Sequence, residues 1–108
     1  AIGGQAITCM GLAGMGDMIA TCTSEHSRNR AFGKYVAEGR TLAQYQEDTH
    51  MVVEGALACR TIQTLSRAYR VELPITDVVR AVVWEGADAQ RAARVLAGRP
   101  LKTEFYGL

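Results

Sequence analysis

Four polar side chains that suit anion binding follow one another in the segment Ser27-Arg28-Asn29-Arg30. The apolar spacing after this segment predicts a helix that starts near Ser27. A helix start presents free backbone N–H groups and the positive end of the helix dipole, so a phosphate would suit it, with Arg28 binding two of its oxygens. The alternative is that Ser27 only caps the helix and the arginines are exposed, because most helix starts bind nothing.

Three closely spaced glycines, Gly11, Gly14 and Gly16, lead directly into Asp17. Their order is G-x-x-G-x-G, and no Gly-Lys-Ser/Thr follows, so this is neither a dinucleotide fingerprint nor a P-loop. One interpretation is that the glycines allow close backbone approach and that Asp17 is a solvated cap. The other is that Asp17 holds a ligand hydroxyl or a catalytic lysine.

A third candidate is Glu54, which follows Val52 and Val53, two valines that we expect to be buried. Acidic residues in first helical turns routinely complement the helix dipole, so Glu54 by itself is an ordinary feature. His26 and His50 are far apart, and neither has Cys, Asp or Glu partners at metal spacing. We therefore expect no metal site and find no general base in a catalytic context.

Helical apolar spacing and readable start and stop signals predict an all-α fold, a single compact domain of six or seven helices over residues 1–108. The longest helix is expected from about Val53 to Tyr69. No run alternates with period two, so strand content should be near nil.

The expected start signals are Ser27, the capping box Thr41 to Gln44, and Pro74, and the expected stops are Gly39, Gly86 and Gly98. Five β-branched residues should share one face of the Pro74 helix, namely Ile75, Val78, Val79, Val82 and Val83.

Composition limits the class of protein. The chain has 108 residues, of which 48% are apolar and 21% charged, as in one ordinary globular domain. Such a length supports one hydrophobic core but not two. The net charge of +1 produces no long-range field for nucleic acid or a membrane surface, so any anion site must be local.

The cysteines and the chain start bear on the compartment. Cys9, Cys22 and Cys59 sit among apolar neighbours and form no C-x-x-C pair, so we expect reduced, buried thiols. No membrane-length apolar stretch and no signal peptide is recognisable, which favours a cytoplasmic protein without membrane insertion. The chain starts without Met in the middle of a pattern, which hints at a fragment.

Five blocks, taken together, resemble one family: Met10-Gly-Leu-Ala-Gly-Met-Gly-Asp-Met18, Thr21-Cys-Thr23, Ser27-Arg-Asn-Arg30, Val52-Val-Glu-Gly55 and Leu73-Pro-Ile-Thr76. This is the bacterial NAD(P)-dependent glycerol-3-phosphate dehydrogenase. The resemblance covers essentially the whole chain, as the C-terminal helical substrate domain of that enzyme, similar to the C-terminal domain of 6-phosphogluconate dehydrogenase. It implies that an N-terminal Rossmann domain for NAD(P)H lies outside this chain.

The resemblance also implies a reaction and residue roles. The family interconverts dihydroxyacetone phosphate and sn-glycerol 3-phosphate for phospholipid synthesis, in the cytoplasm and as a homodimer. By motif match, Asp17, Ser27, Arg28 and Asn29 would bind the substrate. Arg28, Val52 and Glu54 would contact the cofactor.

Two points qualify this assignment. The catalytic lysine of the family would lie upstream of Ala1, since neither Lys34 nor Lys102 matches its motif, so the chain alone should be inactive. The chain also departs from the family at its front, where Ala6-Ile-Thr-Cys9 replaces a Pro-Glu-Thr-Phe-like run. The rival hypothesis is a stand-alone helical interaction module without redox activity, whose glycine-rich face packs on a partner.

Overall fold

The computed structural model describes residues 2–101, and Lys102 therefore lies outside the described part of the chain. Within residues 2–101 the fold consists of seven α-helices and one π-helical turn, with no β-strand. This confirms the all-α prediction. The helices are α1 (Ala6–Cys9), α2 (Asp17–Thr23), α3 (Arg28–Ala37), α4 (Leu42–Thr49), α5 (Glu54–Tyr69), α6 (Pro74–Glu85) and α7 (Ala89–Ala97), and the π-helical turn is Leu12–Gly16.

The glycine-rich segment forms the π-helical turn that leads straight into α2. The N–H of Gly16 donates to the carbonyl of Gly11, five residues earlier, at 3.1 Å. A Cβ on Gly14 would lie 2.2 Å from the carbonyl oxygen of Cys9, so only glycine fits there without a backbone shift. Close backbone approach is thus confirmed as the structural role of Gly14.

Local signals set the ends of the next two helices. The Ser27 hydroxyl accepts from the N–H of Arg30 and starts α3, and α4 starts with the reciprocal capping box of Thr41 and Gln44. The glycines Gly39 and Gly86 follow α3 and α6 with φ of +84° and +72°. That left-handed conformation favours glycine, which is why both helices stop where the sequence predicts.

A small core joins α3, α4 and α5. Its buried members are Phe32, Leu42, Tyr45, Val53 and Ala56. The ring of Tyr45 meets those of Phe32 and Tyr35 edge to face, each at 5.2 Å between centroids. This core fixes the start of α3 relative to the start of α5, where the candidate site residues lie.

Helix α6 packs against α5 and α7. The indole N–H of Trp84 donates to the carbonyl of Ala56 at 2.7 Å, and the guanidinium of Arg60 lies 4.5 Å from the Trp84 ring centre. The five β-branched residues of α6 do share one face, and that face lines an apolar groove of about 550 Å³ with α3 and α5. We call it the α3–α5–α6 groove.

Two expectations about burial are wrong. Cys9 and Cys22 are exposed, and only Cys59 is buried. The reason is that α1 and α2 pack mainly with the π-helical turn rather than into the core. Val53 is 1% exposed but Val52 is 51% exposed, because neighbouring residues in an extended segment point to opposite sides. Over residues 2–101, no helix has the length and apolar character needed to cross a membrane.

Candidate functional site

A polar cleft of about 430 Å³ lies where α2, α3 and α5 come together. It brings four of the predicted site residues to one place: Ser27, Arg28, Asn29 and Glu54. They come from two segments that are more than twenty residues apart in sequence, so their meeting is a product of the fold. The remaining lining residues are Ala20, Thr21, Ser24 and His26.

The charged pair in this cleft is Arg28 and Glu54. Nη2 of Arg28 lies 2.9 Å from Oε1 of Glu54, and both side chains are more than half exposed. A guanidinium has five N–H donors, so this contact leaves other donors of Arg28 available. The cleft can therefore accept an anion beside the ion pair.

The start of α3 contributes backbone donors to the same cleft. Oγ of Ser27 accepts from the N–H of Arg30 at 3.3 Å, and the carbonyl of Ser27 accepts from the N–H of Ala31 at 2.9 Å. The N–H groups of Arg28 and Asn29 belong to the first turn of α3, so the helix has no carbonyl one turn earlier that could accept from them. They lie at the positive end of the dipole of a ten-residue helix.

Asn29 connects the two helix starts that form the cleft. Its Oδ1 accepts a hydrogen bond from the N–H of Gly55, the second residue of α5, at 3.1 Å. Val53, the residue before α5, has no side-chain cap to offer. Asn29 thus supplies from α3 the cap that α5 lacks in its own sequence.

Asp17 and Val52 are the predicted site residues that do not line this cleft. Asp17 is the first residue of α2, and its Oδ1 lies 3.5 Å from the hydroxyl of Thr21. Thr21 lines the cleft, so Asp17 lies one helical turn away from it. Val52 is exposed and stands two residues before Glu54.

Three polar residues of the cleft, Thr21, Ser24 and His26, were not predicted as site residues. Oγ of Ser24 accepts from the backbone N–H of His26 at 3.1 Å, which shapes the turn between α2 and α3. A signal existed for Thr21, because it lies four residues after Asp17 and so on the same helix face. The turn residues carry no such periodic signal.

The donor set of the cleft suits an organic cofactor edge better than a metal. Arg28 and the helix start can donate to phosphate or hydroxyl oxygens, while Glu54 can accept from an amide or a hydroxyl. Val52 adds exposed apolar surface close by in sequence. Among the residues that the structure describes, no group of three His, Cys, Asp or Glu side chains could hold a metal ion.

A family model described as the C-terminus of NAD-dependent glycerol-3-phosphate dehydrogenase matches residues 1–94. Among curated relatives, the glycerol-3-phosphate dehydrogenase [NAD(P)+] of Corynebacterium kroppenstedtii is 45% identical over 105 residues, covering 96% of this chain and 32% of the relative. The protein of the same name from Clostridium perfringens is 46% identical over 103 residues, covering 95% and 31%. The chain thus spans about a third of the length of these relatives.

A solved structure agrees with the sequence matches. The crystal structure of glycerol-3-phosphate dehydrogenase (gpsA) from Coxiella burnetii superposes with a TM-score of 0.84 at 35% identity, covering 90% of this chain and 30% of that one. The helical architecture is therefore that of the matching part of this enzyme. By sequence and by fold, the chain belongs to the family of NAD-dependent glycerol-3-phosphate dehydrogenase C-terminal domains.

Proposed function

We propose that this chain is the substrate half of an enzyme that interconverts dihydroxyacetone phosphate and sn-glycerol 3-phosphate with NAD(P)H. The observation that carries the proposal is the meeting of Arg28, Asn29 and Glu54 in one polar cleft, in a chain of this family. Both substrates are three-carbon phosphates, so the site must first bind a phosphate.

Arg28 is the principal phosphate ligand in this proposal. With Nη2 on Glu54, the remaining guanidinium donors can bind phosphate oxygens, and charge-assisted bonds of this kind are stronger than neutral ones. The free N–H groups at the start of α3 add to the same anion site. The Ser27 hydroxyl can donate its proton to the phosphate while its oxygen keeps the cap on Arg30.

Asn29 and Asp17 bind the rest of the substrate. Oδ1 of Asn29 already accepts from the N–H of Gly55, and Asn29 binds the substrate through its amide N–H donors. Asp17 accepts from a substrate hydroxyl and holds the catalytic lysine in place. Thr21, which bridges Asp17 to the cleft, brings the two parts of the site together.

Arg28, Glu54 and Val52 would contact the edge of NAD(P)H. When bound, the nicotinamide supplies the hydride that reduces the carbonyl, or accepts it in the reverse direction. Glu54 accepts from the cofactor's amide or ribose hydroxyls, and Val52 covers its apolar side. Arg28 binds to both molecules, so it aligns substrate and cofactor with each other.

Two further parts of the enzyme are assigned to the N-terminal side of this chain. We propose a Rossmann domain there for the dinucleotide and a lysine that donates the proton to the developing alkoxide. The relatives, about three times as long as this chain, support the assignment. The 108 residues alone should then have no dehydrogenase activity. An upstream coding extension of roughly 200 residues, with a strand followed by G-x-G-x-x-G, is the expected finding.

The same family membership supports three broader parts of the proposal. The enzyme provides glycerol 3-phosphate for glycerophospholipid synthesis, works in the cytoplasm and forms a homodimer. Sedimentation of the full-length protein tests the last of these directly.

The experiment that tests the role of Arg28 is Arg28→Ala in the full-length protein. Loss of a charge-assisted bond costs about 1.5–3 kcal/mol, which corresponds to a rise of roughly 10- to 150-fold in the KM for dihydroxyacetone phosphate. Steady-state oxidation of NAD(P)H at varied substrate concentration measures it. Folding of the variant is checked by its thermal midpoint.

The matched control is Arg91→Ala. Arg91 is an exposed arginine on α7, outside the residues that line the polar cleft, and its removal should leave KM unchanged. If Arg28→Ala behaves like Arg91→Ala, Arg28 does not bind the phosphate.

A further inference from the structure

We infer that Gly55 is a positioning residue of the polar cleft, because the absence of a side chain there lets Asn29 hold the starts of α3 and α5 together. The inference rests on the function proposed above for the same cleft. It concerns how the phosphate ligand Arg28 is placed, and it assigns a role to a glycine that touches no substrate.

The first step is the bond between the two helices. Oδ1 of Asn29 accepts from the N–H of Gly55 at 3.1 Å, across 26 residues of sequence. The first N–H groups of a helix have no partner within the helix. Val53, at the capping position of α5, makes no side-chain capping bond. The sixteen residues of α5 therefore receive their side-chain cap from α3.

The second step is the space that this bond needs. A Cβ on Gly55 would lie 2.6 Å from Oδ1 and 3.0 Å from Cγ of Asn29. Contacts this short force the carboxamide to move away, so an alanine at position 55 would break the bond without deleting Asn29. Every other residue type would add a Cβ that meets the Asn29 carboxamide. The requirement for glycine at position 55 is therefore steric.

The third step links the bond to the charged pair. Arg28 directly precedes Asn29, and Glu54 directly precedes Gly55. The bond between Asn29 and Gly55 therefore places Arg28 opposite Glu54. There Nη2 of Arg28 lies 2.9 Å from Oε1 of Glu54. An exposed ion pair is too weak to hold two helix starts by itself. The buried core fixes the spacing of the two helix starts, and within that spacing the Asn29–Gly55 bond sets where the Arg28 guanidinium lies in the cleft.

The test is a double-mutant cycle in the full-length protein with Asn29→Ala, Gly55→Ala and the double variant. Gly55→Ala should raise the KM for dihydroxyacetone phosphate by roughly 2- to 12-fold, the loss typical of one hydrogen bond. Asn29→Ala should raise it further, because it also removes the amide N–H donors that bind the substrate. Since both remove the same bond, the double variant should resemble the worse single variant rather than show the product of the two effects. A glycine that only eased folding would leave KM unchanged.

The matched control is Gly33→Ala on α3, where an added Cβ meets nothing within 4 Å. It should leave KM at the wild-type value. With an active wild type, an unchanged KM in Gly55→Ala, or effects that multiply in the double variant, would overturn this inference alone. An inactive wild type would refute the proposed function, and the inference about Gly55, which rests on that function, would fall with it.

A second measurement stands even if Gly55→Ala does not fold. Asn29→Asp keeps an oxygen acceptor for the Gly55 N–H, so its thermal midpoint should stay close to that of the wild type, whereas Asn29→Ala should lower it. Equal midpoints for these two substitutions would contradict the bond between the helix starts.

Discussion

At the scale of single residues, the charged pair of the cleft contributes little to the stability of the fold. Arg28 and Glu54 are 54% and 61% exposed, and ion pairs this open to water contribute about 0–1 kcal/mol. We expect Glu54→Gln to change the free energy of unfolding by less than about 1 kcal/mol. Thermal unfolding measures it, and a larger loss would mean that the pair also stabilises the fold.

Tyr35 gives the fold an alkaline pH dependence. Its hydroxyl donates to a carboxylate oxygen of Asp48, and this hydrogen bond raises the pKa of Tyr35 above its ordinary value. A raised pKa means that the folded state holds the proton more tightly, so the contribution is complete below about pH 10 and is lost as the pH rises further. The pH profile of the thermal midpoint should therefore fall there.

The matched variant for this prediction is Tyr35→Phe, which keeps the ring that packs on Tyr45 and removes the proton. Its thermal midpoint should fall less steeply with pH above about 10 than that of the wild type. Identical alkaline profiles for the two proteins would show that another group is responsible.

At the scale of elements, side-chain caps decide where helices begin. The α4 cap is reciprocal: the backbone N–H of Gln44 donates to the Thr41 hydroxyl at 3.2 Å, and the Thr41 N–H donates to the Gln44 amide oxygen at 2.9 Å. Thr41→Ala should cost about 0.5–2 kcal/mol of stability. For a domain of this size that lowers the thermal midpoint by about 4–8 °C per kcal/mol.

The control for the cap is Thr61→Ala, within α5. The Thr61 hydroxyl bonds only backwards to the carbonyls of Leu57 and Ala58, and alanine has the higher helix propensity. Its thermal midpoint should be unchanged or slightly higher. If both threonine variants lose the same stability, the cap has no special role.

These elements also show what sequence reasoning can reach. The helix caps at Ser27 and Thr41 are local, because donor and acceptor lie within one helical turn. The helix stops at Gly39 and Gly86 are local too, because a single glycine adopts the left-handed backbone conformation that ends each helix. The Asn29–Gly55 bond, by contrast, joins residues that are 26 apart in sequence, and the polar cleft likewise brings together distant segments. The family resemblance could name Arg28, Asn29 and Glu54 as site residues but not this bond, and local patterning could not tell exposed Val52 from buried Val53.

At the scale of the whole molecule, the chain exposes much apolar surface. Exposed or half-exposed apolar side chains line the α3–α5–α6 groove, among them Ile62, Ile75 and Val79. Monomeric proteins rarely leave contiguous patches of this kind open to water.

We therefore expect the 108-residue chain to self-associate at moderate concentration, as measured by sedimentation or by light scattering. Val79→Glu, which puts a charge into the groove, should weaken the association. The control is Val95→Glu on α7, an exposed valine outside the groove. A monomer at every concentration would favour a stand-alone interaction module over the substrate half of a larger enzyme.

The most direct test of the central claim is to measure NADH and NADPH oxidation by the full-length protein with and without dihydroxyacetone phosphate. We expect oxidation that depends on dihydroxyacetone phosphate, while the 108-residue chain alone shows none. A folded full-length protein that oxidises neither cofactor in the presence of this substrate would contradict the account.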